Sequence, residues 1–411
     1  MLYHAYEFQK LMLSGAGFIA ETQAKWLTNP INPAGYVPNM SAYTSALEVF
    51  AHSVEARGKP KFGLDHCIIN DDAHPIEEEI ECRLPFGQLK HFIRKTPKGK
   101  TVEGDPKLLI IAPMSGHYAT LLRGTVERML PGHDVWITDW RDARDVSTKD
   151  GLFDLNVYIE YLIKFLEHIG PNTHLLAVCQ PSVPALATAA IMGRDKHVCR
   201  PSTLTMMGGP IDTRKCPTAV NTMAVDRPHS WFKNTVIATV PPQYKGAGRN
   251  VYPGFMQLAS FMSMNLGNHM KSHWEMFKHL VSGDEESADA TKDFYDEYRS
   301  VCDMTAEFYL QTVDVVFQRH LLPDSLFEHD GHLVKMEDIT DTAILAIEGE
   351  RDDISGIGQT KAALDITTKL PKNKKQYYLA EGAGHYGIFN GKKWRRNIAP
   401  VLERWILAHN G

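Results

Sequence analysis

The sequence predicts an α/β protein, a mostly parallel sheet flanked by helices, with a helical lid inserted after the sixth strand. Three observations predict it. Short, continuously apolar runs rich in branched residues alternate with amphipathic segments through the middle of the chain. That is the pattern of strands covered on both faces by crossover helices. The alternation stops between residues 215 and 337, where methionine-rich and aromatic helical text replaces it, and it resumes over 338–411. A single cysteine, Cys179, stands where one apolar run turns into an alanine-rich helix.

Residues 1–74 read as a helical arm packed on the body, interrupted by "NPINPAGYVP". The first part of the core, 75–214, opens with "PIEEEIECRLPFGQLKHFIRKT", two strand-like stretches around Pro85 and Gly87 that suit a hairpin. "KLLIIAPMSG" is a buried strand and "YATLLRGTVERML" has helical spacing. "HDVWITDW" is the next strand, and "LNVYIEYLIKFLEHIG" is an amphipathic helix closed by Gly170. "THLLAVC" leads through the cysteine into a helix running to about residue 192, and "STLTMMGGPID" is the sixth strand. The insertion, 215–337, contains "YPGFMQLASFMSMNLGNHMKSHWEMFKHL" and no obvious buried strand. In 338–411, "TAILAIEGERDD" and "KQYYLAEGAGHYGIF" are strands with their loops, and "KWRRNIAPVLERWILAHN" closes the chain as a helix. This succession is the plan of an α/β-hydrolase core carrying a lid.

Composition bounds the function. The 411 residues are 43% hydrophobic and 23% charged, as in ordinary globular proteins. A net charge of −5, with both signs mixed along the chain, argues against nucleic acid as a partner, because phosphate binding needs a basic stripe. The six cysteines, at 67, 82, 179, 199, 216 and 302, form no CxxC pair and no cluster with histidine, so neither a metal site nor a disulfide framework is expected. "MLYHAYEFQKLML" lacks the features of a secretory signal, and no run of ~18 apolar residues could span a bilayer. A cytoplasmic protein without a transmembrane segment is expected.

In the hydrolase plan the nucleophile sits on a tight strand-to-helix turn and its acid and histidine follow later in the chain. Cys179 occupies that turn. "IEGERDD" supplies Asp352 three residues past Gly349, and "EGAGHYG" supplies His385 in the loop after the last strand. A thiol suits the position. The unpaired N–H groups of a helix N-terminus and a nearby imidazolium both favour the thiolate, which is the nucleophilic form. Cys179 is thus expected to attack an ester carbonyl and form a thioester, with Asp352 orienting His385. The backbone N–H groups of Gln180 and Ser115 are the expected oxyanion donors, and Met114 and His117 are candidates to line the pocket. The elbow departs from the usual pattern, with Ala177 and Pro181 where glycines normally stand.

Other readings compete at several positions. Asp212, after the sixth strand, is an alternative acid, and Asp353 reads as a helix cap. Ser182 lies one turn inside the helix and faces away from the elbow. Cys199 and Cys216 read as packing residues. Phe255, Met256, Phe261, Met262 and Met264 form a stripe that serves either as the lid's own core or as a pliable apolar wall for substrate.

With these residues assembled, the chain resembles the intracellular polyhydroxybutyrate depolymerases. The matching segments are "MLYHAYEFQ", "LTNPINPAGY", "IAPMSGHYATLLRGTVERMLPGHDVWITDWRDAR", the cysteine elbow, "GERDDISGIGQT" and "EGAGHYGIFNGKKW". The resemblance implies a Cys–Asp–His esterase acting on the amorphous polyester of cytoplasmic granules, releasing 3-hydroxybutyrate oligomers or monomer. Motif by motif, it carries the catalytic roles onto Cys179, Asp352 and His385. Its implied partners are the polymer, its oligomers and the granule surface. No bound cofactor is implied, coenzyme A enters only as an alternative acyl acceptor to water, and a homo-oligomer is left open. Three alternatives remain at this point: a polyhydroxyalkanoate synthase-like acyltransferase, a granule-binding protein with a vestigial triad, and a general thioesterase or lipase of the same fold.

Overall fold

The computed structural model describes residues 2–29, 31–33, 37–55, 57–264, 266–282 and 284–410. The first three strands, β1 (His66–Ile69), β2 (Asp72–Arg83) and β3 (Gly87–Arg94), form an antiparallel edge. Four further strands follow, each with a helix or helical turn on a sheet face: β4 (Lys107–Ile111), β5 (Asp134–Trp140), β6 (Thr173–Val178) and β7 (Thr203–Met207). Short strands β8 (Ala238–Thr239), β9 (Asn250–Tyr252) and β10 (Met304–Thr305) make a separate three-stranded sheet, and β11 (Glu328–His329) pairs with β12 (His332–Leu333). The main sheet is completed by β13 (Ala343–Gly349) and β14 (Lys375–Ala380), giving the order β1-β2-β3-β5-β4-β6-β7-β13-β14. Every pair from β5 through β14 is parallel.

The physical cause is visible strand by strand. Leu108 through Ile111, all of β6 and all of β13 are buried, as a strand covered on both faces must be. The helix Leu155–Ile169 buries Leu155, Tyr158, Ile159, Leu162, Phe165 and Leu166 on its sheet-facing side. Asp154 caps it by accepting from the Val157 N–H at 2.9 Å, and Gly170 ends it at φ 92. The helix Ser182–Arg194 is buried from Ser182 through Met192, so small alanines there let it lie close to the sheet. Strand order reverses around β4, which lies between β5 and β6. The crevice at a sheet's switch point is where α/β proteins place ligands, and here it receives the C-terminal ends of β4 and β6.

Two findings differ from the sequence reading. The stretch read as an arm contributes β1, paired with β2 from His66↔Pro75 to Ile69↔Asp72. The insertion is not purely helical, because β8, β9 and β10 pair within it. Strands of two or three residues leave no periodicity to detect. The helices Leu2–Leu27 and Met40–Val54 pack together and against the insertion, where Tyr6 stacks on Phe255 with ring centroids 3.9 Å apart. Among the described residues no helix is long and apolar enough to cross a membrane.

Candidate active site

β6 ends at Val178 and the next helix starts at Ser182, so the chain must reverse within three residues. The turn holds Cys179 in the left-handed region at φ 65. For a residue other than glycine this costs of order 1–3 kcal/mol and persists only where its surroundings impose it. They do so here: the Cys179 N–H donates to the Met207 carbonyl at 2.7 Å, and the Ser182 N–H donates back to the Cys179 carbonyl at 3.0 Å. Facing chain presses on the elbow at Gly209, where an added Cβ would lie 2.1 Å from Ser182 Oγ and 3.3 Å from the Cys179 carbonyl. The close approach that usually asks for glycine beside the nucleophile is met from the neighbouring loop, which is how Ala177 and Pro181 are tolerated.

Asp352 and His385 come from the loops after β13 and β14. His385 Nδ1 donates to Asp352 Oδ2 at 2.8 Å. Asp352 Oδ1 accepts from the N–H groups of Ile354 at 2.9 Å and Ser355 at 2.8 Å, so each carboxylate oxygen has a separate task. Both side chains are almost wholly buried. Cys179 is the other group that acts on the imidazole. Burial pulls the His385 pKa down, but the charges of Cys179 and Asp352, and its hydrogen bond to Asp352, outweigh that and hold it well above the usual histidine value. A protonated imidazole beside a thiol is the arrangement that favours thiolate. Gly208, at φ 59, floors the pair. A Cβ there would sit 3.2 Å from Asp352 Oδ2 and 3.2 Å from His385 Cε1.

Cys179 lines a cavity of about 400 Å³. Met114, Ser115, Gln180 and Gly208 form its floor beside Cys179, while Met223, Tyr252, Met304, Phe308 and Tyr309 give it a largely apolar wall.

Several sequence expectations are corrected. His117 does not line the cavity: it is buried with Nε2 on the Tyr298 carbonyl at 3.0 Å, and desolvation takes its pKa down to about 4. It fastens the Met114–His117 turn instead. Asp212 does not reach His385. It pairs with Arg214, whose Nε donates to Oδ1 at 2.7 Å. Cys216 is exposed rather than packed, whereas Cys199 is buried. Ser182 is fully buried beneath Gly209. Of the methionine and aromatic stripe, Phe255 packs against Tyr3 and Tyr6, Met256 packs against the main core, and Met262 is half-buried. The side chains of Phe261 and Met264 lie outside the described residues. Sequence reasoning missed Gly208, Gly209, Gln257 and the wall residues Tyr252, Phe308 and Tyr309. Only the doubled glycine of "MMGGPID" carried a signal, a backbone needing space after a strand. Among the described residues, the ligand atoms of Glu160, His329 and Asp330 lie within 4.8 Å of one another, but none of these residues lines the cavity.

A mostly parallel sheet in this order, flanked by helices and with the chain turning sharply after β6, is the α/β-hydrolase fold. Residues 208–410 match the family described as "PHB de-polymerase C-terminus". That stretch is nearly half of the chain, and through it the C-terminal region is similar to a family of polyester depolymerases. No curated protein matches the sequence. Among solved structures, the chain is similar to DcsB in complex with its substrate analogue, at 14% identity and TM-score 0.44, covering 82% of this chain and 99% of that one. It is also similar to 2-hydroxy-6-oxo-6-phenylhexa-2,4-dienoate hydrolase from Rhodococcus sp. strain RHA1, at 10% identity and TM-score 0.44, covering 81% and 99%. A monoacylglycerol lipase from Paleococcus ferrophilus aligns at 12% identity and TM-score 0.44, covering 74% and 96%.

Proposed function

We propose that the protein is a depolymerase of the storage polyester poly(3-hydroxybutyrate), working at the granule surface through Cys179, His385 and Asp352. One observation carries the catalytic assignment: a cysteine held at φ 65 after β6 acts electrostatically on a buried histidine whose Nδ1 donates to a carboxylate. The family match of residues 208–410 supports the polymer as substrate, and the apolar wall suits an uncharged chain of short repeating esters.

Cys179 Sγ, as thiolate, adds to the ester carbonyl carbon. The carbonyl electron pair moves to oxygen, where the backbone N–H groups of Gln180 and Ser115 receive the developing charge. Collapse restores the carbonyl and expels the alkoxide, which takes its proton from His385 Nε2, leaving a thioester on Cys179 and a neutral imidazole. A water molecule, giving a proton to that imidazole, attacks the thioester and releases a 3-hydroxybutyrate oligomer or monomer with the thiolate. Coenzyme A in place of water would enter the same second step and leave as an acyl thioester. Asp352 fixes the orientation of the ring and stabilises the imidazolium. The insertion acts as a lid that presents the apolar wall to polymer.

Mass spectrometry of the enzyme after brief exposure to a 3-hydroxybutyrate oligomer tests this. An acyl adduct on the peptide containing residue 179, absent from His385→Ala, is the expected result. An adduct elsewhere, or turnover undiminished in Cys179→Ala, would overturn the assignment.

A further inference from the structure

The helix Gly254–Met264 of the insertion lines the cavity with Gln257, Ser260 and Ser263; the two serines are exposed, and Gln257 is buried, at 8% exposure. Its carboxamide lies over the Met114–His117 turn. A Cβ added to Gly116 would be 2.6 Å from Gln257 Oε1 and 2.8 Å from Cδ, so glycine is needed there both for its φ of 92 and for the contact. Gln257 Oε1 is buried with no hydrogen-bond partner. A native protein rarely leaves such an atom unmatched, and does so mostly at sites with a task. With Oε1 turned against Gly116, the amino group of the carboxamide is the end left to front the cavity, and it can donate two hydrogen bonds.

Both partners in this contact are fixed. The Gly116 carbonyl accepts from the Cys302 N–H at 2.6 Å, and the Gly254 N–H donates to Asp303 Oδ1 at 2.9 Å, which ties the start of the helix to the same segment. Asp303 Oδ2 in turn accepts from Tyr3 at 2.6 Å. The insertion thus sets the Gln257 amide beside the turn that carries Ser115.

We propose that Gln257 is a catalytic residue whose side-chain N–H donates to the carbonyl oxygen of the ester under attack, beside the backbone donors at Ser115 and Gln180. The site is then complete only with the insertion seated. This rests on the Cys179 reading given above, and it predicts a loss confined to steps in which the carbonyl oxygen gains charge.

The test compares the native enzyme with Gln257→Leu, which keeps the volume and removes the donor, and with Gly116→Ala, which displaces the carboxamide. Three measurements are made on each: kcat and KM for a soluble short ester, inhibition by a trifluoromethyl ketone, and alkylation of Cys179 by iodoacetamide. A trifluoromethyl ketone traps the thiolate as a tetrahedral oxyanion, whereas alkylation forms none. Loss of one oxyanion donor lowers kcat by about 100-fold or more. The expected result for Gln257→Leu is that loss in kcat with KM little changed, a matching loss of ketone affinity, and unchanged alkylation. Gly116→Ala should lose at least as much, because its Cβ both displaces the carboxamide and is strained at φ 92. An effect on kcat within about threefold, or alkylation slowed as much as turnover, overturns the role of Gln257. Failure of iodoacetamide to inactivate the native enzyme would instead overturn the reading of Cys179.

Discussion

Replacing Asp352 by asparagine exchanges one oxygen for an amino group, and the two oxygens of this carboxylate have different duties. Oδ1 accepts from the Ile354 and Ser355 N–H groups, while Oδ2 accepts from His385 Nδ1. An asparagine keeps its carbonyl on the two backbone donors, so its amino group turns toward Nδ1. The imidazole must then accept at Nδ1 and carry its proton on Nε2, where it can no longer take the proton of Cys179. The carboxylate's contribution to holding His385 protonated is lost as well. In serine triads the same exchange lowers kcat by about 10⁴. We expect kcat/KM to fall between about a thousandfold and ten-thousandfold, or about 4 to 5.5 kcal/mol of barrier. Stability should fall less, by about 1.5–3 kcal/mol for one charge-assisted hydrogen bond, because the loop keeps its two backbone contacts. The assay is turnover of a soluble short ester, with iodoacetamide alkylation of Cys179 near neutral pH and urea unfolding alongside. A folded variant whose turnover and alkylation both stay within about tenfold of the native enzyme would refute the reasoning.

Two further predictions follow from other parts of the molecule. His117 is buried neutral with its pKa lowered to about 4, so as pH falls below the unfolded value of 6.5 the unfolded chain takes up a proton that the fold refuses. Stability is therefore lost progressively between these values, by up to about 3 kcal/mol, and urea unfolding at about pH 7 and about pH 4.5 should show a smaller loss in His117→Gln than in the native protein. Met270 and Trp274, one turn apart on the helix Leu266–Ser282, are 66% and 58% exposed. Burying such side chains contributes about 1.5–3 kcal/mol each, so changing both to aspartate should weaken co-sedimentation with amorphous polyester by about tenfold or more while sparing a soluble ester. Equal loss on both substrates would count against a granule-facing role.

How much of this was legible beforehand follows from the range of each interaction. The α/β alternation, the strand-to-helix position of Cys179 and the later positions of Asp352 and His385 are readable from the sequence, because apolar periodicity and chain order are local or ordinal properties. The short strands β8, β9 and β10 were not, since their pairing joins residues from Ala238 to Thr305 with too few side chains to form a pattern. Asp212 remained an alternative to Asp352 until the fold paired it with Arg214 and gave Asp352 to His385. His117 looked like a pocket residue because it follows the oxyanion turn. Which way its ring points was decided by the Tyr298 carbonyl, 181 positions away. Gln257 had no signal at all in a helix of mixed apolar text. Its place at the site comes from an insertion laid across Gly116, a contact that only the packed chain can make. The sequence by itself determined the layers of the fold and the kinds of group at the site, through burial and order. The tertiary structure decided which groups touch, because hydrogen-bond partners far apart in the chain are chosen by distance and direction in space.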